Sequence, residues 1–416
     1  MTIYEIINKI SNGGMDELFS QVYSESDSEI LRQRARYLNC AENFSRLYPL
    51  HEEIHIFSVP GRVEIGGNHT AQQHGNVLAA AVTPDILGFV AYHNENVVRI
   101  FSKDFEHVEI DLSDLSDIAE KYSGYGALTA EIISEFAAKG IICSGFDAYI
   151  MSDIPVESGF FSSVAFEIFI GNIINNSSDK RLSEIEIAKI GHFVEQKYME
   201  KEIGLESYLI CAIGGIAAFE LNYPHNPVIR RLDFDFSKSG YSVCLVDVGE
   251  NNENFTDTYK EILYDMKSVA NAIGVEYLGE ADEDAFFDNI AEIRKKCCDR
   301  AVNRAIYFFE ENKRVFLEVE AVEGGRIHEF LELVNLSGKS FAIMLQNMQP
   351  SLKLALSISR RYLNGSGAVR VHGGYVISFV PDYMVGNYIK TLDNIFGQGS
   401  TKAMKFRKGA AGELYV

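Results

Sequence analysis

The stretch from Ala148 to Ile174, AYIMSDIPVESGFFSSVAFEIFIGNII, constrains the fold of this chain more than any other. A β-rich apolar run ends in a loop with Pro155 and Gly159, and a second apolar run with helical character begins near Ser162 and Ser163. Strand, glycine turn and apolar helix, in that order, belong to a protein that mixes sheet and helix. The loop also has the outline of a phosphate-cradling turn, in which backbone N–H groups and the positive end of a helix face an anion. Yet Glu157, Phe160 and Phe161 stand where such a loop needs glycine and small hydroxyls.

The rest of the chain repeats this mixture. Residues up to about Tyr48 read as helical, and HIFSVPGRVEIGG begins as a strand that is expected to break into a turn at Pro60-Gly61. An apolar stretch resumes from Asn76 to Val82. Ser183 and Glu186 have capping-box spacing, and Ile187, Ile190, Val194 and Tyr198 then recur at helical intervals. Further on, GYSVCLVDVG reads as a strand and DTYKEILYDMKSVANAIG as a helix. The class is therefore α+β. There is no long Pro- or Ser-rich linker and no visible repeat. At 416 residues and 47% hydrophobic content, the chain exceeds what a single core usually holds, so two joined lobes are expected.

A formal charge of -21 argues against a nucleic acid or an anionic membrane as partner, because such surfaces are met by clustered Lys and Arg. The six cysteines are scattered apart from the adjacent Cys297 and Cys298, which suits reduced, mostly buried thiols rather than a disulfide framework. The first residues, MTIYEIINKISNGGMDELFS, lack the basic start and apolar stretch of a signal peptide. No apolar run approaches the roughly 20 residues that span a bilayer. A cytoplasmic location is expected.

Several stretches together resemble the galactokinase family of the GHMP small-molecule kinases. PGRVEIGGNHTAQQHGNVLAAAV is similar to its galactokinase signature, closest to a bacterial branch reading PGRTEIGGNHTDHQHG. The loop from Ile154 falls where the family carries GSGLSSSAAFE. VEQKYMEKEIGLESYLICAIGGIAAFE resembles ENxYFGKPCGLMDQxxxAxGG, VDVGENNENFTDTY resembles VDTGGxHADLTDxY, and GAVRVHGGYVISFVP resembles GAxRVHGGGFAGTIQAFVP. These matches run in family order over nearly the whole chain. The resemblance implies a two-lobed GHMP kinase fold with mixed sheets and helices and an active cleft between the lobes. It places an N-terminal domain at about 1–205 and a C-terminal domain at about 206–416, with C-terminal strands free to return to the first lobe. It also implies ATP and Mg as cofactors, if the chain is active, and transfer of the γ-phosphoryl group to the C1 hydroxyl of galactose.

Carried over residue by residue, the resemblance puts Arg62 at the catalytic arginine, with a strand-end surface arginine as the alternative. Asn68 and His69 fall at sugar-contacting positions. At Ala71 the family has a sugar-binding aspartate, so that ligand is lost. Glu157, Gly159, Ser162 and Ser163 fall in the nucleotide-binding loop, where a carboxylate at 157 either repels phosphate, occupies the anion site, or points into water. Ser163 and Glu195 fall at the Mg positions, with a solvated helix-face glutamate as the alternative for Glu195. Ser207 stands at the catalytic aspartate, and serine cannot serve as an anionic base. Glu206 is the adjacent substitute, although neighbouring helix positions diverge by about 100°. The third glycine loop is shorter, and His372, Gly373 and Gly374 read as a tight hairpin rather than a ligand loop.

Since phosphoryl transfer depends on positioning and charge neutralisation, these departures bear directly on activity. They imply a galactokinase-family protein whose transfer activity is weakened or lost, with a ligand-sensing role for a galactose-like sugar and ATP binding in doubt. The alternatives are a working sugar kinase with an altered site, and a non-catalytic binding or regulatory protein with a protein partner, needing no cofactor.

Overall fold

The computed structural model describes residues 1–103, 106–154, 162–198, 203–249 and 252–415. Its first sheet is built on two long antiparallel strands, β1 (His55–Gly66) and β2 (Asn76–His93). Next to them come β3 (Val97–Ser102), β4 (Val108–Asp111) and β5 (Gly145–Ser152), in the spatial order β1-β2-β5-β3-β4. β6 (Ile216–Glu220) pairs with the first half of β2, and β7 (Val228–Leu232) pairs with β6. β1 does not break at Pro60-Gly61 as the sequence led us to expect. The strand continues through a register shift at that dipeptide, and a second shift lies between Glu64 and Gly66. A bulge tolerates proline because the ladder is already interrupted there.

Both faces of this sheet are covered, so β1 and β2 are buried along nearly their whole length, and polar residues in them, such as Ser58, Arg62, Glu64 and Asp85, are buried with the apolar ones. On one face lies the helix Asp27–Leu47, whose Tyr37, Cys40 and Phe44 pack against Leu87, Phe89 and Tyr149. The other face carries the helices Ser162–Ser177 and Leu205–Ile213. The capping box foreseen at Ser183 is present: Glu186 accepts from the Ser183 backbone N–H at 2.9 Å, and Glu186 N–H donates to Ser183 Oγ at 3.3 Å.

The second sheet contains β8 (Tyr241–Asp247), β9 (Ala368–His372), β10 (Tyr375–Pro381) and β11 (Thr401–Met404), ordered β11-β8-β10-β9. Its strands β9 and β10 form a hairpin closed at Gly373 and Gly374, and the positive φ of Gly373, 55°, is the conformation that such a turn demands. The helix Asp299–Glu323 packs on β1 and β2 as well as on the helices of the second sheet, so it spans the seam between the sheets. β12 (Gly412–Glu413) brings the tail back to pair with β1.

All six cysteines are free, but only Cys40, Cys211 and Cys244 are buried; Cys143 and Cys297 are half-buried and Cys298 is exposed. Among the described residues, no helix is long and apolar enough to cross a membrane.

One buried carboxylate ties these layers together. Asp85, fully buried, accepts from Arg36 Nη1 at 2.6 Å, Tyr23 OH at 2.7 Å, Arg407 Nη1 at 3.2 Å and Ser58 Oγ. Burial opposes its charge, but the two guanidinium groups and the hydroxyls outweigh it and hold the carboxyl below its ordinary value. Asp85→Ala, which strands two buried cations, should cost about 3–5 kcal/mol in urea unfolding. A depressed folded-state pKa gives stability that is present above the unfolded value of about 3.9 and lost as pH falls through the folded one. The variant should lack that part of the acid limb.

Candidate active site

Because successive strand residues point to opposite faces, Arg62 and Glu64 of β1 share one face. Both are buried, and both meet His372, which the hairpin brings across from the second sheet. Arg62 Nη1 lies 3.1 Å from His372 Nε2, and His372 Nδ1 lies 3.3 Å from Glu64 Oε1. Arg370 Nη2 approaches the same Glu64 oxygen at 3.8 Å. The short third loop is thus a tight hairpin, but it still delivers a side chain to Arg62. Glu64 and Arg370 were not singled out from the sequence; the available signal for Glu64 was its place two residues after Arg62 on a strand.

The geometry around residue 207 departs from the sequence argument. The side chain of Glu206 was expected to point away from the site, yet Glu206 and Ser207 are both buried and bonded to each other. Ser207 Oγ donates to Glu206 Oε1 at 2.9 Å. The Cβ atoms of Glu206 and Ser207 still diverge as on any helix, but the longer Glu206 side chain, in the first turn of Leu205–Ile213, curls its carboxylate back over Gly204. A Cβ at Gly204 would sit 2.1 Å from Glu206 Oε2, so only glycine leaves room for this arrangement. Oε2 has no hydrogen-bond partner among the described residues. Burial and the neighbouring Glu64 charge push the Glu206 carboxyl up to about 7, against the opposing pull of Arg62 and of the Ser207 bond. A carboxyl with a free oxygen that titrates near neutrality is suited to accept a proton.

The positions expected to contact sugar lie in the turn after β1. Asn68 is buried and its Nδ2 donates to Val371 O at 3.1 Å, which fixes the turn to β9. His69 takes a left-handed φ of 63°, and its ring lies against Phe341 and Tyr259 at centroid distances of 6.1 and 5.1 Å. Burial pushes the imidazole down to about 3, so it is neutral, and its Nδ1 has no partner among the described residues. Ala71 is buried at the start of a short 3-10 turn and contributes only a methyl group.

At the other end of the region, Ser163 Oγ donates to Glu195 Oε1 at 3.3 Å, and Tyr208 OH donates to Glu195 Oε2 at 3.0 Å. Glu195 is fully buried rather than on a solvated helix face, and buried Glu167 lies close enough to join it in raising the Tyr208 hydroxyl. Among the described residues, no group of three or more His, Cys, Asp or Glu side chains forms a metal cage. A hydroxyl and a carboxylate side by side nevertheless fit Mg, which prefers oxygen and usually takes one or two protein ligands together with phosphate and water. Glu157 and Gly159 lie outside the described residues, as do Phe160 and Phe161. Ser162 opens the helix Ser162–Ser177, but its side chain lies outside them as well.

Comparison with known proteins bears on this arrangement. Residues 42–92 match the galactokinase galactose-binding signature, and residues 127–215 match the N-terminal domain of GHMP kinases. The galactokinase of Actinobacillus pleuropneumoniae is 27% identical over 341 residues, covering 78% of this chain and 85% of that protein. A galactokinase of Lactococcus lactis subsp. cremoris is 22% identical over 373 residues, covering 85% and 90%. The chain is thus similar to galactokinases, of the GHMP kinases, over most of its length. Its fold agrees: a crystal structure of Lactococcus lactis galactokinase complexed with galactose superposes with a TM-score of 0.76 at 19% identity, over 90% of this chain and 98% of that one. A mevalonate kinase structure gives 0.63 at 17% identity, over 85% and 99%.

The position of Glu206 yields a prediction that needs no substrate. A folded-state pKa raised above the unfolded value gives stability that is complete below about pH 4.3 and lost as pH rises through about 7. Glu206→Gln should therefore match the parent near pH 4 and exceed it above pH 7, by on the order of 3 kcal/mol at most. Urea unfolding across that range reads the difference.

Proposed function

We propose that this chain is an ATP-dependent sugar kinase in which Glu206 does the work of the family aspartate that Ser207 has replaced. The observation that carries this reading is the buried Glu206 carboxylate, with one oxygen unpartnered, in the field of Arg62 and Glu64. In this reading the acceptor is a galactose-like hexose and the reacting group its C1 hydroxyl. Glu206 Oε2 takes the hydroxyl proton as the oxygen bonds to the γ-phosphorus of ATP, and the bond from that phosphorus to the β-phosphate oxygen breaks to release ADP. Arg62 offsets the negative charge on the transferring group. Ser163 and Glu195 would hold Mg, which neutralises phosphate charge when bound. In this reading the cleft lies between the two sheets, and the expected boundary near 205 moves later, because Leu205–Ile213, β6 and β7 stay with the first sheet.

Support comes from the family, since the Lactococcus lactis relative was crystallised with galactose, and from the pairing of Ser163 with Glu195. A second reading, ligand binding with weakened or no transfer, is favoured by Ala71 and by the His69 ring lying against Phe341 and Tyr259. There the fold serves as a sensor for a sugar or a protein partner.

The deciding experiment measures ADP release with Mg-ATP and a panel of hexoses, alongside calorimetry for each sugar. The kinase reading expects sugar-dependent ADP release, and a loss of about 10²- to 10⁴-fold in kcat for Glu206→Gln with sugar affinity retained. Sugar binding without ADP release would favour the sensor. If residues 157, 160 and 161 obstruct nucleotide, the combined variant Glu157→Gly, Phe160→Leu, Phe161→Ser should bind ATP more tightly by calorimetry. Unchanged affinity would place the obstruction elsewhere.

A further inference from the structure

The bond between Arg62 and His372 fixes more than a distance. An arginine side chain carries N–H donors and no acceptor, so at 3.1 Å His372 Nε2 must present its lone pair to Arg62 Nη1. A protonated ring, which would oppose two N–H groups there, is incompatible with this contact. In the neutral ring the single proton then sits on Nδ1, and the atom facing it at 3.3 Å is Glu64 Oε1. Guanidinium, imidazole and carboxylate thus lie in one row: Arg62 N–H donates to His372 Nε2, and His372 Nδ1 faces Glu64 Oε1 at ion-pair distance, 3.3 Å, without the alignment of a hydrogen bond.

We propose that Glu64 and His372 are positioning residues for the transfer reaction: Glu64 fixes the tautomer of His372, and the ring fixes the direction in which Arg62 presents its guanidinium. This rests on the reading of Arg62 and Glu206 as the transfer groups. The arrangement is geometrically economical. Arg62 and Glu64 stand on one strand face two residues apart, so a single ring from the opposite sheet engages both, and the row forms only when the hairpin is seated against β1.

Titratable and charged groups face this row from several elements, among them Glu311 and Glu318 of the helix Asp299–Glu323. Glu64 and Arg62 come from β1, Arg370 from β9, His69 from the turn after β1, and Glu206 from the helix Leu205–Ile213. Burial disfavours a charged His372, in keeping with the neutral tautomer that the contact requires. The Glu64 charge also makes Glu206 a weaker acid, so a neutral residue at 64 should let Glu206 lose its proton at lower pH.

The test uses the full chain labelled with ¹⁵N-histidine, with His372→Gln to identify the His372 signals. The parent should show the Nδ1–H tautomer with Nε2 as a bare acceptor. Glu64→Gln, whose amide oxygen keeps an acceptor facing Nδ1, should preserve it, and Glu64→Ala should lose it. In turnover, Glu64→Ala should lower kcat roughly 10- to 100-fold with little change in KM. Glu64→Gln should recover most of that loss while moving the acid limb of the rate profile to lower pH, a shift that a purely structural residue would not produce. An Nε2–H or protonated ring in the parent, or an unchanged tautomer in a folded Glu64→Ala, overturns the proposal. The tautomer is read without turnover, so it decides the positioning claim even in a chain that transfers no phosphoryl group, which would sink only the kinase reading.

Discussion

Asp85 carries a carboxylate into a place without solvent, and it stays charged only because guanidinium groups 49 and 322 residues away in the chain meet it there. Leaving water costs such a group several kcal/mol, which only well-aligned partners offset. The partners come from the helix Asp27–Leu47 and from the C-terminal tail, and Ser58 of β1 completes the set. Helix, strand and tail are thereby locked at one point, five strand positions or fewer from Arg62. The bulge at Pro60-Gly61 lies between that lock and the site, and it sets which face Arg62 and Glu64 present.

A second buried charge network fixes the other side of the site. Glu311 of the helix Asp299–Glu323 accepts from Ser337 Oγ at 2.6 Å and Gly67 N–H at 3.3 Å, pairs with Arg314, and lies 4.0 Å from Arg370. The bond to Gly67 anchors the turn that carries Asn68 and His69. Two turns further along the helix, Glu318 is fully buried, and burial and the Glu311 charge raise its carboxyl well above the ordinary value. The seam between the sheets therefore carries a cluster of buried acidic and basic side chains close to Glu64 and Arg370.

Much of this was legible in the sequence where a local rule applies. The capping box at Ser183 and Glu186, the helix from Ser162, and the strands at β5 and β8 followed from periodicity and turn residues. The resemblance brought Arg62, Ser163, Glu195 and Ser207 to attention by position. Where the reading failed, a neighbour had intervened. A proline in a bulge does not end a strand when both faces are packed. The helical 100° between Glu206 and Ser207 sets only where their Cβ atoms point, and Gly204 leaves space for the long Glu206 carboxylate to fold back to Ser207.

By itself, the sequence determined the mixture of strand and helix and the likeness to galactokinases, because these are properties of residue types in order. Only the tertiary structure decided which side chains meet. His372 meets Arg62 across 310 residues of chain, and Glu206 acquires its raised pKa from burial and from Glu64 on a different element. Burial, field and tautomer belong to groups brought together by packing, and no local pattern in the chain encodes them.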